Sequence, residues 1–97
     1  MKKNTNTNKK SSPHESLYEV ISSIESSQLV QDFLSDLLTP VELQAVSDRW
    51  NAAKLLNNGM TQRQVANQLG LSVTTVTRVA KSLANKEGGY NTILANH

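Results

Sequence analysis

Three observations predict an all-α fold for this chain, organised around a helix-turn-helix. Aromatic residues are few, with Tyr18, Phe33, Trp50 and Tyr90 the whole set, so the core must be aliphatic and helical. Apolar residues recur at helical spacing from Leu17 to Leu56. Residues 61–83, TQRQVANQLGLSVTTVTRVAKSL, read as two short helices hinged at Gly70. A chain of 97 residues allows one domain with a small core, near the size at which partner subunits supply missing burial.

Taken in order, residues 1–13 (MKKNTNTNKKSSP) have almost nothing to bury and are expected to form a disordered basic tail. Such a tail can scan DNA or simply solubilise. Lysines without arginine read no bases by themselves, which favours the second role. Residues 14–97 are expected to form a single helical domain. Its parts are core and dimerisation helices over 14–58, the helix-turn-helix over 60–84 and a C-terminal segment over 85–97.

Leu17, Val20, Ile21 and Ile24 share one face of a helix over 15–25. Ser26 and Ser27 interrupt it, and a second helix carries Leu29, Val30, Phe33, Leu34, Leu37 and Leu38. That face is too apolar for water in a domain this small and is expected to be core or subunit interface. Thr39-Pro40-Val41-Glu42 then starts the longest helix. Thr39 caps it, Pro40 takes the first helical position, where its missing N–H costs nothing, and Glu42 closes a capping box. Leu43, Val46, Trp50, Ala53 and Leu56 line one face before Asn57-Asn58-Gly59 ends the helix. Trp50 stands at helical spacing and is expected in the core.

The helix-turn-helix opens with Thr61 as cap and Gln64 three residues on, again the capping-box spacing. Val65, Ala66 and Leu69 face inward, Gly70 stops the first helix, Leu71 plugs the turn, and Ser72 caps the second helix. Val76, Val79, Ala80 and Leu83 give that helix one apolar stripe. Val73, Thr74, Thr77, Arg78 and Lys81 remain outward, a short hydrogen-bonding face that is basic at its far end. Such a helix suits the major groove of duplex DNA. The bland alternative is an αα-hairpin whose threonines and arginine are a solvated face. Beyond Leu83 the period is lost. Asn85, Gly88 and Gly89 mark a break, and Tyr90, Ile93 and Leu94 make one last apolar turn, expected to dock back on the body or on a second subunit.

The net charge of +2 hides a polarity. Residues 14–48 hold seven acids and no Lys or Arg, residues 49–97 hold six bases against Glu87, and the tail adds four lysines. An acidic half joined to a basic half suits a molecule that turns one face to phosphate. There is no cysteine, hence no disulfide framework and no thiolate metal site. No apolar run approaches a membrane span, and the N-terminal lysines have no apolar stretch behind them, so neither anchor nor secretory signal is expected and the cytoplasm is the expected location. Nothing suggests an enzyme or a bound metal. His14 and His97 lie in terminal segments, no helix pairs metal ligands at i, i+4, and no nucleophile has a neighbouring base.

The run LLTPVELQAVSDRW, then GMTQRQVANQLGLSVTTVTRV and GGY, resembles the Trp repressor family and within it the short YerC/YecD-type branch. The resemblance covers about residues 37–90. It implies an all-α, intertwined homodimer of the Trp-repressor type, whose two helix-turn-helix reading heads meet successive major grooves of palindromic double-stranded DNA, and it implies a repressor. Intertwining would explain the apolar N-terminal helices. By match to the family, Gln62, Arg63, Val73, Thr74 and Thr77 would meet DNA, and Ser72, Arg78 and Lys81 on the second helix of the reading head are expected to contact it as well. In tryptophan-sensing members two arginines, a threonine and a serine hold the corepressor, which here maps onto Arg49, Arg78, Thr39 and Ser82.

Two departures bear on that corepressor. Val79 stands where the amino-acid-binding repressors have glycine, and its branched side chain opposes an indole. The segment between Arg49 and the reading head is one residue shorter, which turns a helix by about 100° and would point Arg49 elsewhere, for example into an ion pair with Asp48. Weak or no tryptophan binding is therefore expected, and ligand-gated and ligand-independent regulation both stay open. The alternative of a different class is a helical dimeric protein-interaction module that does not bind DNA.

Overall fold

The computed structural model describes residues 12–96. The expected tail falls almost entirely outside them, as does His97. Among the described residues the chain is all-helical: α1 (Glu15–Ser23), α2 (Ser27–Leu37), α3 (Pro40–Asn57), α4 (Gln62–Leu69), α5 (Val73–Leu83) and α6 (Gly89–Leu94). None of these helices is long and apolar enough to cross a membrane. Contacts divide the chain into two compact units, Met1–Leu38 and Thr39–His97.

In the first unit α1 stops two residues before the expected end, because Ile24 turns extended. Ser26 then caps α2, its hydroxyl accepting from Leu29 N–H at 3.2 Å. Neither helix contains a buried residue. Leu29 remains 53% and Leu37 47% exposed, together with Tyr18, Val20 and Ile21.

The second unit holds the core. Thr39 and Glu42 form the expected capping box: Glu42 N–H donates to Thr39 Oγ1 at 3.2 Å and Thr39 N–H to Glu42 Oε1 at 2.8 Å. The bond from the Thr39 backbone, then that from its side chain, holds the Glu42 carboxyl below its ordinary pKa. At the other end of α3, Gly59 takes φ +98°, and Met60 N–H returns to Leu55 O at 3.2 Å, which sends the chain into α4. Ala52, Ala53, Val65, Ala66, Val76 and Val79 are the buried centre. Trp50, Leu55, Leu56, Met60, Leu69, Leu71, Leu83, Tyr90 and Leu94 pack around it. Two small alanines from α3 let α4 and α5 approach closely. The inward face of α3 is thus shifted from expectation, with Ala52 at its centre and Val46 42% exposed.

The C-terminal segment docks on its own chain, α6 contacting α3 and α5. Asn91 fastens it by donating Nδ2–H to Leu83 O at 2.8 Å and to Asn85 O at 2.9 Å. Those carbonyls lie at and just beyond the end of α5, where helical acceptors lack intrahelical donors. Tyr90 and Leu94 follow onto the core.

Candidate nucleic-acid interface and adjoining cleft

The helix-turn-helix forms as its residues dictate. Thr61 and Gln64 close a capping box, with bonds of 2.9 and 3.1 Å. Gly70 adopts the left-handed conformation at φ +68°, and Leu71 N–H folds back to Ala66 O at 3.0 Å. A residue with a Cβ resists that conformation, which is why glycine ends the helix there. Ser72 caps α5 by accepting from Thr75 N–H at 3.1 Å while donating to Thr75 Oγ1 at 2.9 Å. Of the predicted DNA contacts, Ser72 is therefore already engaged by its own helix.

Burial sorts α5 into two faces. Val76 and Val79 are buried, Val79 at 2% exposure, whereas Val73 at 52%, Thr74, Arg78 and Lys81 are exposed. Thr77 is half-buried and donates Oγ1–H to Gln62 Oε1 at 2.7 Å, linking α5 to the first residue of α4. Gln62 and Arg63 are exposed beside it. Gln62, Val73, Thr74, Thr77, Arg78 and Lys81 thus belong to one polar, cationic surface, with Arg63 on the first turn of α4. The Gln62–Thr77 bond was not readable from periodicity, because it joins residues fifteen apart across the turn.

Behind this surface lies a cleft between α3, α5 and α6. Arg49 and Arg78 both line a cavity of about 330 Å³ with Thr75, and a smaller one of about 150 Å³ with Val79, Ser82 and Tyr90. Arg49 and Arg78 thus border the same two cavities, despite the shorter connecting segment. Asp48, its expected ion-pair partner, accepts instead from Gln44 Nε2 at 2.8 Å. Ser82 joins the arginines. Thr39 caps the N-terminal end of α3, roughly 15 Å along the helix from Arg49. Val79 lines the smaller cavity while buried in the core, so its methyl groups occupy volume next to the guanidinium pair. Next to it, Trp50, Ser82, Asn85, Gly88, Gly89, Tyr90 and Ile93 line an open apolar cavity of about 690 Å³. Tyr90, absent from the predicted set, lines both. Its signals in the sequence were the last apolar turn, which it shares with Ile93 and Leu94, and the glycine pair before it.

Residues 13–97 match the family model described as Trp repressor protein. A Trp operon repressor homolog of Vibrio parahaemolyticus is 34% identical over 71 residues, 72% of this chain and 69% of that protein. One from Xylella fastidiosa is 34% identical over 70 residues, 71% of this chain and 76% of that protein. Uncharacterized protein YerC of Bacillus subtilis is 28% identical over 78 residues, 80% of this chain and 75% of that protein. No solved structure gives a significant match.

Proposed function

The chain belongs to the Trp repressor family, a family of DNA-binding regulators and not of enzymes, and from that premise we propose that it is a sequence-specific transcriptional repressor acting in the cytoplasm as a homodimer on palindromic duplex DNA. The observation that carries the proposal is the division of α5, with Val76 and Val79 inward and Val73, Thr74, Arg78 and Lys81 outward. A hairpin that serves packing alone has no need of an exposed face that combines hydroxyls with a cationic end. Recognition helices use that combination: phosphate contacts position the helix and base-edge contacts specify the sequence.

In this reading Thr74 and Thr77 face base edges, and Arg63, Arg78 and Lys81 hold phosphates. Two reading heads related by symmetry would meet half-sites about one helical turn apart, a spacing general to dimers of this class and not measured on this chain. The arginine pair in the cleft could hold a planar or carboxylate-bearing molecule, since guanidinium stacks and forms bidentate hydrogen bonds. Val79 narrows the space beside it, so DNA binding is independent of ligand or tuned by a molecule smaller than tryptophan. The test compares two substitutions. Lys81→Ala, which removes one cation from each head of the dimer, should weaken all sequences alike and reduce the salt slope by about 2, whereas Thr77→Ala should relax preference at one base position of each half-site by roughly 1 kcal/mol. Unchanged affinity and selectivity in both variants would contradict the proposed docking.

A further inference from the structure

We infer that Gln62 is a specificity-determining positioning residue: by accepting the Thr77 hydroxyl proton it presents Thr77 to DNA as a hydrogen-bond acceptor, selecting adenine or cytosine at the base that Thr77 meets. The inference deepens the DNA-binding reading and rests on it.

A threonine hydroxyl has one proton and two lone pairs, and in isolation rotates to donate or accept as its partner requires. Such a residue pairs with any base edge and discriminates little. Here the proton is committed, because Thr77 Oγ1 donates to Gln62 Oε1 at 2.7 Å. What remains for a ligand is the lone pairs of Oγ1 and the γ-methyl group. In the major groove, hydrogen-bond donors come from adenine N6 and cytosine N4, whereas guanine and thymine offer O6, N7 or O4 acceptors. An acceptor-only Thr77 therefore pairs with adenine or cytosine and repels the other two.

The orientation of Gln62 is consistent with its setting. It is exposed at the first position of α4, beside Arg63, where its amide hydrogens can reach an anionic phosphate oxygen. An amide that turns its N–H groups to phosphate turns its oxygen away. That oxygen is the atom which meets Thr77. Phosphate contact and base selection are thus coupled through one planar side chain.

The experiment selects bound duplexes from a randomised pool using the full chain, with Gln62→Ala, Gln62→Glu and Thr77→Val compared at matched occupancy and helicity checked for each. The unmodified protein should enrich adenine or cytosine at one position of each half-site by about fivefold, the worth of one net hydrogen bond. Thr77→Val, which keeps the shape and loses the hydroxyl, should bring that position to within about twofold. Gln62→Ala should do the same at the same position, because the freed hydroxyl can donate as well as accept. Gln62→Glu should keep the preference, since a carboxylate still accepts from Thr77, while binding every sequence more weakly as its charge faces phosphate. A Thr77→Val variant that keeps the preference of the unmodified protein at every position of the half-site would overturn the inference. So would a Gln62→Ala profile that weakens all sequences alike with preference intact, which is what a purely structural role produces. Absence of salt-dependent duplex binding by the unmodified protein would instead overturn the DNA-binding reading.

Discussion

Val79 lies on α5 where the buried cluster meets the cleft. Its side chain is 2% exposed, packed with Val65, Val76 and the α3 alanines, and it also walls the small cavity shared by Arg49, Arg78, Ser82 and Tyr90. Forcing extra atoms into packed surroundings costs about 1–3 kcal/mol. A loss of that size lowers affinity about tenfold or more. Calorimetry with L-tryptophan should therefore show weak or no binding to the unmodified protein. Val79→Gly should open the space, at a cost in thermal stability of about 2–4 kcal/mol from the lost burial and the helical glycine. Tight binding of tryptophan by the unmodified protein, with stronger DNA binding in its presence, would show that Val79 does not obstruct the cleft.

Among the elements, the turn between α4 and α5 is the most exposed to small changes. No atom lies within 4 Å of a Cβ built on Gly70, so Gly70→Ala tests backbone strain without steric interference. The left-handed conformation should cost about 1–2 kcal/mol, read as a lower denaturant midpoint, and Gly70→Asn should cost less. Ser72→Ala removes the α5 cap and should cost about 1 kcal/mol. If neither changed stability, the turn would not be under the control argued for it. Caps and turns such as Thr39-Pro40, Thr61, Gly70 and Ser72 were readable in the sequence because they depend on residues a few positions apart. The inward face of α3 was not. Its C-terminal half meets α4, α5 and α6, so Ala52 is buried although one amphipathic stripe predicts Leu43, Val46, Trp50, Ala53 and Leu56. Nor was the reach of Asn91 to Leu83 O, or the bond between Gln62 and Thr77, because side-chain contacts across a turn depend on how helices cross. That Arg49 and Arg78 border the same cavities was likewise not readable, because it depends on how α3 and α5 pack.

For the whole molecule, the two units differ in how they hold together. Residues 39–97 contain the buried cluster, whereas α1 and α2 contribute no buried residue and leave Leu29, Leu37, Tyr18, Val20 and Ile21 exposed. At roughly 25 cal/mol per Å² of apolar area, covering those faces with a second copy is strongly favourable. Folding and dimerisation should then be a single concentration-dependent event, with light scattering giving twice the mass of the 10.7 kDa chain. A folded monomer at micromolar concentration would contradict this. In such a dimer the two reading heads would together offer Arg63, Arg78 and Lys81 twice over to phosphate. The most direct test is the affinity for a selected palindromic duplex, followed by fluorescence anisotropy across salt concentrations. Six phosphates neutralised by two heads should give a slope of log K against log salt of about −5, with half-sites about ten base pairs apart preferred over shuffled spacings. Binding that is absent, or indifferent to both salt and half-site spacing, would mean that this surface does not read DNA.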